Sequence, residues 1–226
     1  NKSFDNTSAI QAAIDSTISS GKTTLYFPEG RYALGDTMII RGSIRRIHFM
    51  GSRFGAIRNN KFSDSRPLFR LEDGTHPEVL MEMMGKGWDT GAEKTEEKIA
   101  IIEHDSSRTL VLRNMSQSYT SIPGSGPLFL EDIQGCAVYK GTEVWARQLN
   151  PEECGGEEGG MIVNDGGTLW ILGFKTEVGL PNVAGAPHIS FTGIKTINGG
   201  KTELLGGFPS NRTPPSDVPL FINDES

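Results

Sequence analysis

Gly167-Thr-Leu-Trp-Ile-Leu-Gly-Phe-Lys-Thr-Glu177 lies 26 positions before Gly193-Ile-Lys-Thr-Ile-Asn-Gly-Gly-Lys-Thr-Glu203, and Gly, Ile, Gly, Lys, Thr and Glu coincide. A fixed period in the twenties marks a solenoid, whose repeats bury their apolar faces by stacking on one another. Val144-Trp145 precedes Leu169-Trp170 by 25 positions, a fainter copy that puts tryptophans on neighbouring coils. The phrases are too short and too glycine-rich for helical repeats, and Thr, Val, Ile and Trp suit strands. They read as stacked β-coils. In that register Lys175 would stand over Lys201 and Glu177 over Glu203, all pointing outward while Thr176 and Thr202 point in, because strand side chains alternate.

Length and charge bound the answer. A chain of 226 residues fits one all-β domain and can bury a sizeable core. The net charge of −6 argues against nucleic acid as partner, since phosphate binding needs a basic face, and leaves sugars open. With no run of 18 apolar residues, no membrane insertion is expected. No signal-peptide pattern opens the sequence. The abrupt start at Asn1-Lys-Ser-Phe-Asp5 is expected of a domain cut from a longer chain, any export signal then lying upstream. Cys136 and Cys154 form no metal pattern and read either as unpaired small residues or as one disulfide. Asn-x-Ser/Thr triplets begin at Asn1, Asn6, Asn114 and Asn211 and matter only in a glycosylating source.

Ser8-Ala-Ile-Gln11 has the form of a capping box, and Ile10, Ala13, Ile14, Thr17 and Ile18 recur on one helical face until Gly21. This predicts a helix within 1–21 that covers the open end of the coils, where an exposed core and strand edge would invite association. Residues 22–226 complete a single domain over 1–226, with excursions near 51–66, 85–98, 150–160 and 206–218. If Leu68, Ile99, Leu128, Met161, Ile189 and Leu220 begin equivalent strands, the coils measure 31, 29, 33, 28 and 31 residues. Excursions gather on one side of a solenoid, where binding sites are built.

Asp5-Asn-Thr-Ser-Ala-Ile-Gln-Ala-Ala-Ile-Asp15, followed by Thr24-Leu-Tyr-Phe-Pro-Glu-Gly-Arg-Tyr32, resembles the opening of the parallel β-helices of the pectate-lyase superfamily, with its polygalacturonase-related and pectate-lyase-3-like domains. The likeness covers about the first 50 residues and lacks the glycine-rich lead-in usual before the aspartate. It implies an all-β fold, a right-handed single-stranded parallel β-helix (solenoid) with an N-terminal capping α-helix. It also implies an extracellular, periplasmic or cell-surface location and a polysaccharide partner, cleaved by a glycoside hydrolase or polysaccharide lyase. Some relatives, among them two-helicoid exo-glucanases, carry this opening twice, so the chain resembles a sole domain or the second of two. A non-catalytic glycan-binding or structural domain, of adhesin or tailspike type or half of a two-domain enzyme, is the alternative.

Hydrolysis needs paired carboxylates, roughly 5–5.5 Å apart for retention or 6.5–9.5 Å for inversion. Lyase chemistry needs a base and cationic or metal help beside a uronate carboxyl. The Asn-Thr-Asp, Asp-Asp and Gly-His-Gly phrases of polygalacturonases and the Trp-Ile-Asp-His phrase of calcium pectate lyases are absent, so the resemblance transfers no catalytic residue. Asp165, Lys175, Glu177 and Glu203 are the local catalytic candidates. Asp165 would sit one coil from Glu131 or Asp132 and complete a carboxylate pair, or simply belong to an Asn164-Asp-Gly-Gly167 turn. The Lys/Glu row would align two acids and two bases, its plainer reading being a solvated charge row that discourages edge pairing.

Trp88, Glu103, His104, Asp132 and Lys201 are the candidate substrate-binding residues. Trp88 stands in a polar loop where its face suits a sugar ring, whereas Trp145 and Trp170, set among Val, Leu and Ile, read as core. Glu103-His104-Asp105 reads as a hydrogen-bonded turn between strands, or as a general acid/base group. No metal site or cofactor is read; calcium is the one ion that Glu152, Glu153, Glu157 and Glu158 could gather. His48, His76 and His188 show no mutual spacing for a metal.

Overall fold

The computed structural model describes residues 4–57, 66–85, 101–116, 119–151, 160–178, 192–211 and 219–224, with the backbone alone at 177, 178 and 209–211. After helix α1 (Thr7–Ser19), the strands are β1 (Thr24–Tyr26), β2 (Arg31–Leu34), β3 (Met38–Gly42), β4 (Arg46–His48), β5 (Arg53–Ala56), β6 (Phe69–Gly74), β7 (Glu78–Glu82), β8 (Ile102–His104) and β9 (Thr109–Ser116). They continue as β10 (Tyr119–Ser121), β11 (Leu128–Gln134), β12 (Ala137–Lys140), β13 (Glu143–Asn150), β14 (Gly160–Asp165), β15 (Thr168–Val178), β16 (Thr192–Ile197), β17 (Lys201–Asn211) and β18 (Phe221–Asn223). One sheet runs β1-β4-β7-β9-β11-β13-β15-β17 and a second β3-β6-β8-β10-β12-β14-β16-β18, with β2 and β5 as a short third. The ladders are parallel, so the chain returns to each sheet once per coil: a parallel β-helix with an N-terminal helix.

The coil lengths depart from the expected ones. Successive register partners Thr24, Arg46, Leu80, Val111, Phe129, Trp145, Trp170 and Glu203 are 22, 34, 31, 18, 16, 25 and 33 residues apart. The near-uniform steps read from Leu68 to Leu220 mix the sheets: Leu128 belongs to the first, while Met161 lies in β14 of the second. Ile99 and Ile189 lie outside the described residues. The 25-residue offset of the tryptophans is a true register, Trp145 opposite Trp170. The 26-residue offset is not. β15 pairs with β17 at 33 residues, and Gly193-Ile-Lys-Thr-Ile197 falls in β16 on the other sheet. Both sheets need the same strand-and-turn letters, whereas coil length follows the excursion, so the shared phrase carries no register.

The opening phrase works as a socket. Asp5 Oδ1 accepts from the Thr7 backbone N–H at 2.9 Å, and Thr7 Oγ1 accepts from the Gly35 N–H at 2.8 Å. Asn6 exchanges two hydrogen bonds with the Ala33 backbone, its N–H donating at 2.9 Å and its Oδ1 accepting at 3.1 Å. The expected Ser8–Gln11 capping box does not form. Instead the Gln11 amide pairs with the Ile39 backbone, Oε1 accepting at 2.9 Å and Nε2 donating at 3.2 Å. It stands in for one peptide unit of an absent neighbouring strand and blunts the edge of β3. Ile10 and Ile14 then close the core.

Inside, Ile47, Met81, Leu112, Leu130, Ala146 and Ile171 form the inward row of the first sheet. They face Met38, Phe69, Ile102, Tyr119, Ala137, Ile162 and Ile194 of the second. Phe27, Phe49, Phe54 and Phe69 pack under the cap, with ring centroids 5.0–5.6 Å apart. Phe54 belongs to β5, so the polar stretch expected as a loop from residue 51 contains a core strand whose alternation turns Phe54 inward. Similarly, β17 runs to Asn211, inside the excursion expected from 206. The first sheet bends at a row of left-handed residues, Met50, Met83, Asn114, Asp132, Gln148, Gly173 and Gly206, with φ between 50° and 83°. Cys136 is buried and disulfide-bonded, and the sequence's other cysteine, Cys154, lies outside the described residues.

His104 lies within β8, not in a turn, and is 0% exposed. Its Nε2–H donates to the Arg108 carbonyl at 2.9 Å, which leaves Nδ1 to accept from the Tyr119 hydroxyl at 3.1 Å. Burial, opposed by the Arg108 carbonyl and Asp105, pulls its pKa from 6.5 to about 4. The unfolded chain therefore binds the extra proton first as pH falls. Stability held by His104 is full above pH 6.5 and lost progressively toward pH 4, by about 3 kcal/mol in total. Urea melts at pH 7.5 and 4.5 should show this loss, and His104→Gln should reduce the difference; an equal difference in the variant assigns the pH dependence elsewhere.

Candidate functional site

The outer face of the first sheet carries an unusual column. In register order it reads Thr24, Arg46, Leu80, Val111, Phe129, Trp145, Trp170 and Glu203. Leu128-Phe-Leu130, Val144-Trp-Ala146 and Leu169-Trp-Ile171 each turn two apolar residues inward, so the aromatic between them points out. Phe129 is 42% and Trp145 37% exposed, and Trp170 is half-buried. The Phe129 and Trp145 rings are 4.9 Å apart and 11° from parallel. Rings that close cannot lie side by side in one plane; they overlap like tiles, each partly covered by its neighbour and partly exposed.

Polar rows flank the tiles. On one side Glu143, Thr168 and Lys201 are in register. On the other run Tyr26, His48, Glu82, Arg113, Glu131, Arg147, Leu172 and Leu205. Glu82 is buried between two guanidinium groups: Arg46 Nε donates to Oε1 at 2.6 Å and Arg113 Nε to Oε2 at 3.1 Å. Burial pushes the Glu82 carboxyl up, but the hydrogen bonds and charges of Arg113 and Arg46 outweigh it and hold the pKa below its ordinary value. Arg147 pairs with Glu131.

The candidates from sequence are dispersed. Lys201 and Glu203 lie on this face with Trp170, and Thr202 turns inward, where its hydroxyl meets Asn164 Nδ2 at 3.0 Å. Exposed Asp132 sits at the left-handed corner beside Glu131. Lys175 and Glu177 oppose Phe208 and Ser210, so the expected stacking of Lys175 on Lys201 and Glu177 on Glu203 is not formed. Asp165 belongs to the second sheet, in register with Lys140 and Ile197, and accepts from Asn198 Nδ2 at 2.6 Å. It is not one coil from Glu131, whose partners are Arg113 and Arg147. Glu103, also on the second sheet, pairs with Arg70 at 2.6 Å. His104 is sealed in the core and cannot touch a polymer. Trp88 and the acidic loop proposed for calcium lie outside the described residues. Among the described residues no group of three or more His, Cys, Asp or Glu could hold a metal ion.

A cavity of about 550 Å3 lies between β16, β17 and β18, and among the described residues of its lining Lys201 is the one titratable group, with no acid pair. The residues missed in sequence are Phe129, Trp145 and Trp170, and the missed signal was strand alternation: an aromatic between two inward apolar neighbours faces out.

Compared with known proteins, the chain matches no family model and no curated protein sequence. Among solved structures it is similar to one described as a "putative glycosyl hydrolase" from Parabacteroides merdae, at 11% identity, with a TM-score of 0.30, covering 98% of this chain and 89% of that one. A likeness at that level says nothing about activity.

Proposed function

We propose that this chain is a carbohydrate-active β-helix that binds an extracellular polysaccharide on the outer face of its first sheet. The observation that carries this reading is the in-register column of exposed Phe129 and Trp145 and half-buried Trp170, set on stacked parallel strands and rimmed by polar side chains. Aromatic faces offer sugar rings broad apolar contact, and the polar rims supply hydrogen bonds that orient them. The socket built by Asp5 to Gln11 supports placing the chain in the pectate-lyase superfamily. Retardation in native gels cast with neutral and uronate polysaccharides tests binding; no retardation by any polymer overturns it.

Cleavage is a second reading, favoured by Glu203, which continues the aromatic column with Lys201 two residues away. In it Glu203 serves as the acid beside a sugar stacked on Trp170, and a second carboxylate for hydrolysis is not among its register neighbours in the described residues. Reducing-end assays on the same polymers should then show turnover that Glu203→Gln lowers by about 100-fold or more, the scale of a lost general acid. Unsaturated-product absorbance would mark a lyase, and its absence from active samples a hydrolase. Binding without turnover leaves a glycan-binding module.

A further inference from the structure

We infer that the face takes a neutral polysaccharide of equatorially substituted pyranoses, lying parallel to the solenoid axis, rather than a uronate chain. This rests on the reading of the aromatic column as the sugar site. Three observations point to it.

The column itself is apolar: Phe129, Trp145 and Trp170 follow Leu80 and Val111, and Leu172 and Leu205 continue the neighbouring row. A pyranose can lie on such a strip only through a face of C–H groups. Equatorial substitution leaves both ring faces clear, whereas an axial hydroxyl would be pressed against the strip without a partner.

Cations near the strip are also balanced by carboxylates. Arg46 and Arg113 converge on Glu82, and Arg147 pairs with Glu131. Exposed Lys201 is two residues from Glu203 on its own strand and two strands from Glu143, in register with the intervening Thr168. Across the face Arg46, Arg113, Arg147 and Lys201 are thus matched in number by Glu82, Glu131, Glu143 and Glu203, with no surplus of positive charge. A uronate chain adds one carboxylate per ring, finds no surplus of positive charge to balance it, and would have to break the arginine pairs to gain one.

Finally, the tiles climb one strand spacing per coil. From Phe129 to Trp170 the aromatic part of the strip spans two intervals, about 10 Å. That run, with half a ring overhanging each end, accommodates about three linked sugars along the axis and fewer across it, where Glu143 and Arg147 close the sides.

The test is tryptophan-fluorescence titration of the whole chain and of Trp145→Ala with β-1,4-linked gluco-oligosaccharides of two to six rings, and with galacturonate oligomers of equal length. Expected are affinities that rise up to the trimer or tetramer and then level off, galacturonates at least tenfold weaker, and a loss in Trp145→Ala of about tenfold. Galacturonates binding as tightly or tighter, with Trp145 needed, would overturn the neutral-chain inference while the binding function stands. Affinity that keeps rising to the hexamer would overturn the short axial strip. No binding of either series, or binding indifferent to Trp145→Ala, would remove the proposed site together with this inference.

Discussion

Arg108→Met is expected to lower stability by about 3 kcal/mol, or roughly 6–12 °C in Tm, more than any change to an exposed arginine of this chain. Arg108 is 3% exposed, yet no carboxylate forms a salt bridge with it among the described residues. Its guanidinium serves backbone carbonyls instead. Nε donates to His76 O at 2.7 Å, and Nη2 to Ile44 O at 2.5 Å and Glu78 O at 3.3 Å. These acceptors lie at the corner entering the first sheet, on coils that precede β9, so a single side chain clamps three successive turns of the solenoid. Burial lowers the Arg108 pKa, partly opposed by Asp73, so its desolvation is a real cost that the carbonyls offset.

Methionine fills the space but leaves the carbonyls without their donor, each worth about 1–3 kcal/mol when buried unsatisfied, less the relief of removing a buried charge. Gly74 approaches the same clamp; a Cβ there would lie 2.3 Å from Gly42 O and 2.7 Å from Arg108 Nη1, so Gly74→Ala should disturb it from outside. The control is Arg41→Met. Arg41 meets Asp15 at 3.0 Å with both side chains about half exposed, and such pairs contribute little, so its melt should stay close to wild type. Urea and thermal melts followed by far-ultraviolet dichroism decide the matter. An Arg108→Met variant within 2 °C of wild type would mean that water satisfies these carbonyls and that the clamp is not structural.

The clamp also shows what could be read from the chain and what could not. Val144-Trp145 and Leu169-Trp170 gave a true register because both phrases lie on neighbouring strands of the same sheet, β13 and β15. The richer match between Gly167 and Gly193 misled because it joined strands of different sheets, and the residues between β15 and β16 set the coil length. Ile10 and Ile14 announced the cap by helical spacing, whereas the role of Gln11 depended on the backbone of Ile39, a partner 28 residues away that local pattern cannot name. Glu103-His104-Asp105 reads as a hydrogen-bonded turn at a sugar site, or as an acid/base group, yet Glu103 and His104 lie in a strand whose alternation sends His104 into the core and Glu103 out. The same alternation brings Trp145 to the surface. In both cases the letters were right for function or core, and only the facing of the strand decides which.

That facing makes the second large effect a binding one. The double variant Trp145→Ala, Trp170→Ala is expected to weaken polysaccharide binding by about 100-fold, at about tenfold for each ring removed. The fold should survive, because both side chains lie on the outer column while Val144, Ala146, Leu169 and Ile171 remain in the core. Losing the tiling against Phe129 should cost stability only on the order of 1 kcal/mol. Trp145→Phe keeps a ring at the same height and should retain affinity within about threefold. Salt separates the column from the charged row beside it. Binding through aromatic faces should change little between low and high ionic strength, whereas binding through Arg113, Glu131 and Arg147 should fall as their field is screened. Affinity electrophoresis at two salt concentrations reads both effects at once. A double variant that binds as wild type does, or a wild type whose affinity collapses in salt, would move the site off the tiles and onto the charged row.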